Sequence, residues 1–196
     1  KNICDSSWQS DLLLKCIENG IAVYSAHTSL DSVLGGVNDV LAEKLGCTFH
    51  DLDEAIEEAF GMTIPSMFAE KGEAYFRDCE KQMVKKAAVL DKTVISTGGG
   101  TVKDPENIRL LRDKGIIIAL YANIDVIMQR TASNGERPVL DKEDRGNRRN
   151  AVAKLMKERR DLYRQADFSV DTSDLSPLEV AESILGFLKS RGEFDA

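Results

Sequence analysis

The apolar positions of this chain fall into two alternating rhythms. Compact β-type runs recur at 21–26 (IAVYSA), 48–51 (TFHD), 93–97 (TVIST), 116–122 (IIIALYA) and 168–171 (FSVD). Between them lie longer stretches with helical patterning, where apolar residues return every three or four positions. A run such as IIIALYA suits a strand buried on both faces. Strands alternating with helices predict an α/β fold in three layers, with a parallel sheet covered on both sides. Helices are predicted at 7–19, 37–45, 53–60, 64–70, 73–89, 105–114, 125–132 and 148–165, with a last one from 176 to about 190. Gly20, Gly46, Gly61 and Gly115 each follow a helix, as C-terminal glycines do. Asp104-Pro105 reads as an N-cap with proline at the first helical position. Ser176-Pro177-Leu178-Glu179 reads as a capping box. Segment 133–147 (SNGERPVLDKEDRGN) is polar and aperiodic, which fits either a mobile flap or a plain surface loop.

Composition narrows the class. The 196 residues suit a single α/β domain spanning 1–196. A net charge of −7 argues against nonspecific nucleic-acid binding, though not against a local arginine cluster around an anion. No apolar run reaches the ~18 residues of a membrane span, so no membrane partner is expected. The opening KNICDSSWQSDLLLKCIENG reads as an amphipathic helix and not a signal peptide, and a cytoplasmic location is expected. Cys4, Cys16, Cys47 and Cys79 are too widely spaced for a disulfide framework or a metal knuckle. With His27 and His50 the only histidines, no His-rich metal site can be built.

Four constellations carry candidate chemistry. Asp51-Leu52-Asp53 ends the second strand, where open α/β sheets bind ligands. Strand alternation would point both acids the same way, one toward a hydrated Mg²⁺ and the other toward a polyol. Gly98-Gly99-Gly100 directly follows the third strand and leaves backbone N–H groups open to a ligand. In GEAYFRDCE, Arg77 sits between Glu73 and Glu80 at helical spacing, so the acids can orient its guanidinium toward a carboxylate. Arg130, Arg137 and Arg159 recur through the flap and the next helix, in MQRT, GERPVL and KERRDLYR, as charge-neutralising groups for transfer of an anionic group.

In their order and spacing, DLDEAIEEAFGMTIPSMFAEKGEAYFRDCE, STGGGTV, ERPVL and ERRDLYRQADFSVDTSDLSPLEVAESIL resemble shikimate kinase over about residues 41–191. The resemblance implies a P-loop fold of nucleoside-monophosphate-kinase type with a five-stranded parallel sheet, and here an extra N-terminal helix. It implies ATP-dependent phosphorylation of shikimate, a step of aromatic amino-acid biosynthesis, with ATP and Mg²⁺ as cofactors. Asp53, Arg77, Gly98, Gly99, Gly100 and Arg159 would bind shikimate, with Arg77 and Arg159 on its carboxylate. Asp51 would lie near Mg²⁺, Arg130 by the adenine, and Arg137 on a lid of about 133–147.

The resemblance stops where that family places GxxxxGK[ST], whose backbone cradles phosphates and whose Lys and Ser/Thr reach the phosphates and Mg²⁺. No GK[ST] occurs in this chain; Val33-Leu34-Gly35-Gly36 stands at the equivalent place. Instead IENGIAVYSAHTSLDSVLGGVNDVLAEKLG, within about residues 1–46, resembles the Nif3-like dinuclear-metal proteins. That implies a metal-ligand role for Asp31, but the remaining ligands of such a site are missing, and His27 with Asp31 alone makes a poor one. The expectation is a chimera, engineered or natural, that binds shikimate and has little or no kinase activity. An active kinase with an atypical loop, or a non-enzymatic Nif3-like fusion, are the alternatives. The N-terminal helix would either pack on the sheet edge or mediate dimerisation.

Overall fold

A computed structural model describes residues 21–25, 36–131 and 148–193. The expected helix at 7–19, the loop 27–35 with His27 and Asp31, the lid at 133–147 and Arg137 lie outside them. The elements run β1 (Ile21–Ser25), α1 (Val37–Leu45), β2 (Thr48–Asp51), α2 (Leu52–Phe60), α3 (Ile64–Glu70), α4 (Glu73–Ala87), β3 (Thr93–Thr97), a 3-10 turn (Thr101–Lys103), α5 (Pro105–Lys114), β4 (Ile116–Tyr121), α6 (Ile124–Thr131), α7 (Arg148–Tyr163), β5 (Phe168–Asp171) and α8 (Pro177–Leu188).

The strands pair in the order β2-β3-β1-β4-β5, and every pairing is parallel. β1 is central, with Ala22 in register with Ile95 of β3 and Ile117 of β4. Side-chain alternation divides the core into two layers. On one face Leu41, Leu45, Val94, Ile118, Leu120 and Ile184 pack under α1 and α8. On the other, Leu52, Ile56, Met67, Phe76, Ile95 and Ile117 pack under α2 to α5. A smaller cluster of Ala122, Ile127 and Val152 joins α6 to α7.

Local chemistry explains the helix ends. Gly46 and Gly61 adopt left-handed φ of 62° and 64°, ending α1 and α2. Asp104 accepts from Glu106 N at 2.9 Å to cap α5, and Ser176 and Glu179 form the reciprocal capping box of α8. Several boundaries differ from the sequence reading by one or two residues, three of them at the helices nearest the site. α2 begins at Leu52, because Asp51 and not Asp53 is its cap. α4 stops at Ala87 and α7 at Tyr163, each short of the residues patterned to continue it.

Candidate functional site

The site assembles at the carboxyl ends of β2 and β3. Asp51 closes β2, and its Oδ1 accepts from Asp53 N at 2.8 Å and Glu54 N at 3.2 Å. The two acids therefore meet through a helix start and not through strand alternation, since Asp53 lies in the first turn of α2. The cap also commits one oxygen of Asp51 to backbone.

Asp53 faces Gly98. A Cβ on Gly98 would lie 3.4 Å from Asp53 Oδ1 and 3.8 Å from Glu80 Oε1. Gly100 is tighter: a Cβ there would stand 2.6 Å from both terminal nitrogens of Arg77. A side chain at Gly100 would therefore displace the guanidinium pressed against it.

Arg77 is aimed by its own helix. Its Nη1 donates to Glu80 at 2.8 Å and its Nη2 to Glu73 at 3.2 Å. Glu80 is only 2% exposed. It also accepts from the Thr101 hydroxyl at 2.7 Å, which ties α4 to the turn after the glycines.

Burial, and then the charges of Asp51, Glu80 and Glu57, push the Asp53 carboxyl up to about 7 against the opposing pull of Arg77. A carboxyl so placed exchanges a proton near neutrality. The cluster offers a carboxyl that accepts from, or donates to, a hydroxyl. Beside it stands a guanidinium held ready for an anion.

Arg159 and Arg130 come from other elements. Arg159, on α7, is 4% exposed, and its buried Nε has no hydrogen-bond partner among the described residues. It lines a cavity of about 650 Å³ whose other walls include Tyr121, Ile127, Val152, Leu155 and Met156. Its link to the glycine turn runs through Tyr163, one helical turn on, whose hydroxyl donates to Gly99 O at 3.2 Å. Arg130 donates to Thr172 Oγ1 at 3.0 Å and to Thr172 O at 2.7 Å, just past β5. β5 and β2 are opposite edges of the sheet, about 19 Å apart at ordinary strand spacing.

Thr101 and Tyr163 escaped the sequence reading. Tyr163 carried a signal: it stands four residues after Arg159, on the same helical face. Thr101 carried none, because its partner Glu80 is 21 residues away. Among the described residues no trio of His, Cys, Asp and Glu gathers as a metal site.

Comparison with known proteins gives a consistent family. A family model for shikimate kinase matches residues 36–189. The shikimate kinase of Thermodesulfovibrio yellowstonii is 42% identical over 149 residues, covering 76% of this chain and 84% of that protein. That of Persephonella marina is 38% identical over 153 residues, covering 78% and 90%. Among solved structures, shikimate kinase from Acinetobacter baumannii in complex with shikimate superposes with a TM-score of 0.81 at 31% identity, covering 90% of this chain and 97% of that one. The enzyme from Aquifex aeolicus gives 0.73 at 30% identity, covering 88% and 98%.

Proposed function

Since the chain belongs to the shikimate kinase family, we propose that it keeps the acceptor half of that chemistry without the donor half. It binds shikimate, and phosphoryl transfer from ATP is lost or very low. The observation that carries the acceptor part is the closure of Asp53, Glu80 and Arg77 around Gly98 and Gly100. In this reading Arg77 and Arg159 take the carboxylate, a bidentate task suited to guanidinium. Asp53 bonds a ring hydroxyl and, titrating near neutrality, is matched to receive its proton. Gly98, Gly99 and Gly100 let the ring approach the backbone.

ATP and Mg²⁺ serve the family, but the residues here do not fit them. Gly36 caps α1 with no side-chain oxygen to offer a metal ion, and Asp39 puts negative charge into the first turn, where a phosphate would favour none. No Gly-Lys-Ser/Thr exists to reach a triphosphate, and Asp51 spends one carboxylate oxygen as a cap. Arg130 and Arg137 are the residual nucleotide contacts in this reading. Residues 1–46 are read as a Nif3-like strand–loop–helix exchanged for the kinase's own, by engineering or selection, within one α/β domain.

Separate calorimetric titrations test the proposal. Shikimate should give saturable heat, and ATP with Mg²⁺ little or none. Absence of shikimate binding overturns the acceptor part. Shikimate-dependent ADP formation at about 1–100 s⁻¹, the ordinary kinase range, overturns the loss of activity. It would instead favour an active kinase with an atypical loop, a reading that the likeness over 97% of the A. baumannii kinase supports.

A further inference from the structure

The two arginines assigned to the acceptor carboxylate are held by different means. Arg77 is gripped by Glu73 and Glu80 on its own helix. Arg159 has no carboxylate partner among the described residues, and its Nε is buried without a hydrogen bond. With no clamp on it among the described residues, that guanidinium takes its position from the helix that carries it.

That helix packs Leu162 and Tyr163 on the core beside Val102, and one hydrogen bond ties it to the glycine turn. Tyr163 follows Arg159 by four residues, so the two project from one face of α7. The Tyr163 hydroxyl donates to Gly99 O at 3.2 Å. The next residue, Gly100, is the one pressed against Arg77. One glycine turn therefore touches both arginine-bearing helices, α4 through Gly100 and α7 through Gly99.

We infer that Tyr163 is a positioning residue for the acceptor carboxylate: its hydroxyl fastens α7 to the glycine turn and so sets Arg159 relative to Arg77. The inference rests on the shikimate-binding reading. The 3.2 Å separation is a single neutral O–H···O contact. Loss of the hydroxyl should weaken recognition of the charge and leave recognition of the ring hydroxyls alone.

The test is calorimetry on the full chain and on Tyr163→Phe, which keeps the ring and removes only the donor, with shikimate and its uncharged methyl ester as ligands. Tyr163→Phe should weaken shikimate about three- to tenfold, the scale of one neutral hydrogen bond, and leave the methyl ester's affinity unchanged. Arg159→Lys combined with Tyr163→Phe should bind shikimate no worse than Arg159→Lys alone, because the hydroxyl acts through the arginine. Equal shikimate affinity of Tyr163→Phe and the unsubstituted chain overturns the role. So does a parallel loss for both ligands, which would mark a merely structural contact. Failure of the unsubstituted chain to bind shikimate overturns the acceptor reading itself, and this role falls with it.

Discussion

Replacing Asp53 with asparagine should stabilise the protein at neutral pH while weakening its hold on shikimate. The carboxyl ordinarily titrates at 3.8 but is raised to about 7 by burial and by Asp51, Glu80 and Glu57. The folded chain therefore holds a proton that the unfolded chain has already released. Stability is untouched where both states are protonated, below about 4, and falls progressively as pH rises toward 7. The gap between 3.8 and about 7 amounts to about 4 kcal/mol once the group is ionised in both states. That is a ceiling, since solvent reaches this half-buried group. Asparagine has the same shape and no charge, so Asp53→Asn escapes the penalty. The assay is urea unfolding of both proteins, without ligand, from pH 4 to pH 8. The stability difference should be near its minimum at pH 4 and grow in favour of Asp53→Asn toward pH 8. At the ceiling it would raise the melting temperature by roughly 8–16 °C for a chain of this size. Shikimate affinity of Asp53→Asn should fall at least about tenfold at pH 8, since a charged acceptor is lost. A stability difference that stays flat from pH 4 to pH 8 would refute the reasoning, because Asp53 would then titrate as an ordinary surface acid.

Two further substitutions probe the site and the scaffold separately. Gly100→Ala places a methyl group where Arg77 now sits, 2.6 Å from its terminal nitrogens; the flexible guanidinium should swing aside, weakening shikimate by about tenfold or more with a melting temperature near the parent's. Ser176→Ala removes one half of the α8 capping box; it should cost about 1 kcal/mol in urea unfolding and leave shikimate titration unchanged.

The scaffold was legible in the sequence wherever one residue's chemistry decides a local outcome. Gly46, Gly61, Asp104 and Ser176 end or begin helices where their backbone freedom or side-chain oxygens require. The orientation of Arg77 was legible too, because its partners share its helix. What escaped depended on tertiary placement. Asp51 serves as strand terminus and helix cap at once, so alternation could not tell where β2 yields to α2. The raised proton affinity of Asp53 arises first from burial and then from Asp51 and from Glu80, 27 positions on, and neither the burial nor the Glu80 approach can be read from spacing. The Tyr163 contact spans 64 residues, and only folding brings it to the glycine turn.

The place of β1 has a bearing on how the chain folds. β3 and β4 both pair with β1, so the β2–β3 ribbon and the β4–β5 ribbon meet in the sheet only across that strand. Backbone hydrogen bonding, which is largely indifferent to side-chain identity, is what β1 supplies to each ribbon. Any strand of sufficient length and apolar character can bridge them. A poorly seated one would leave two ribbons with open edges, each free to melt on its own. The sharpness of unfolding, read as agreement between probes on the two ribbons, therefore measures how well the bridging strand is seated.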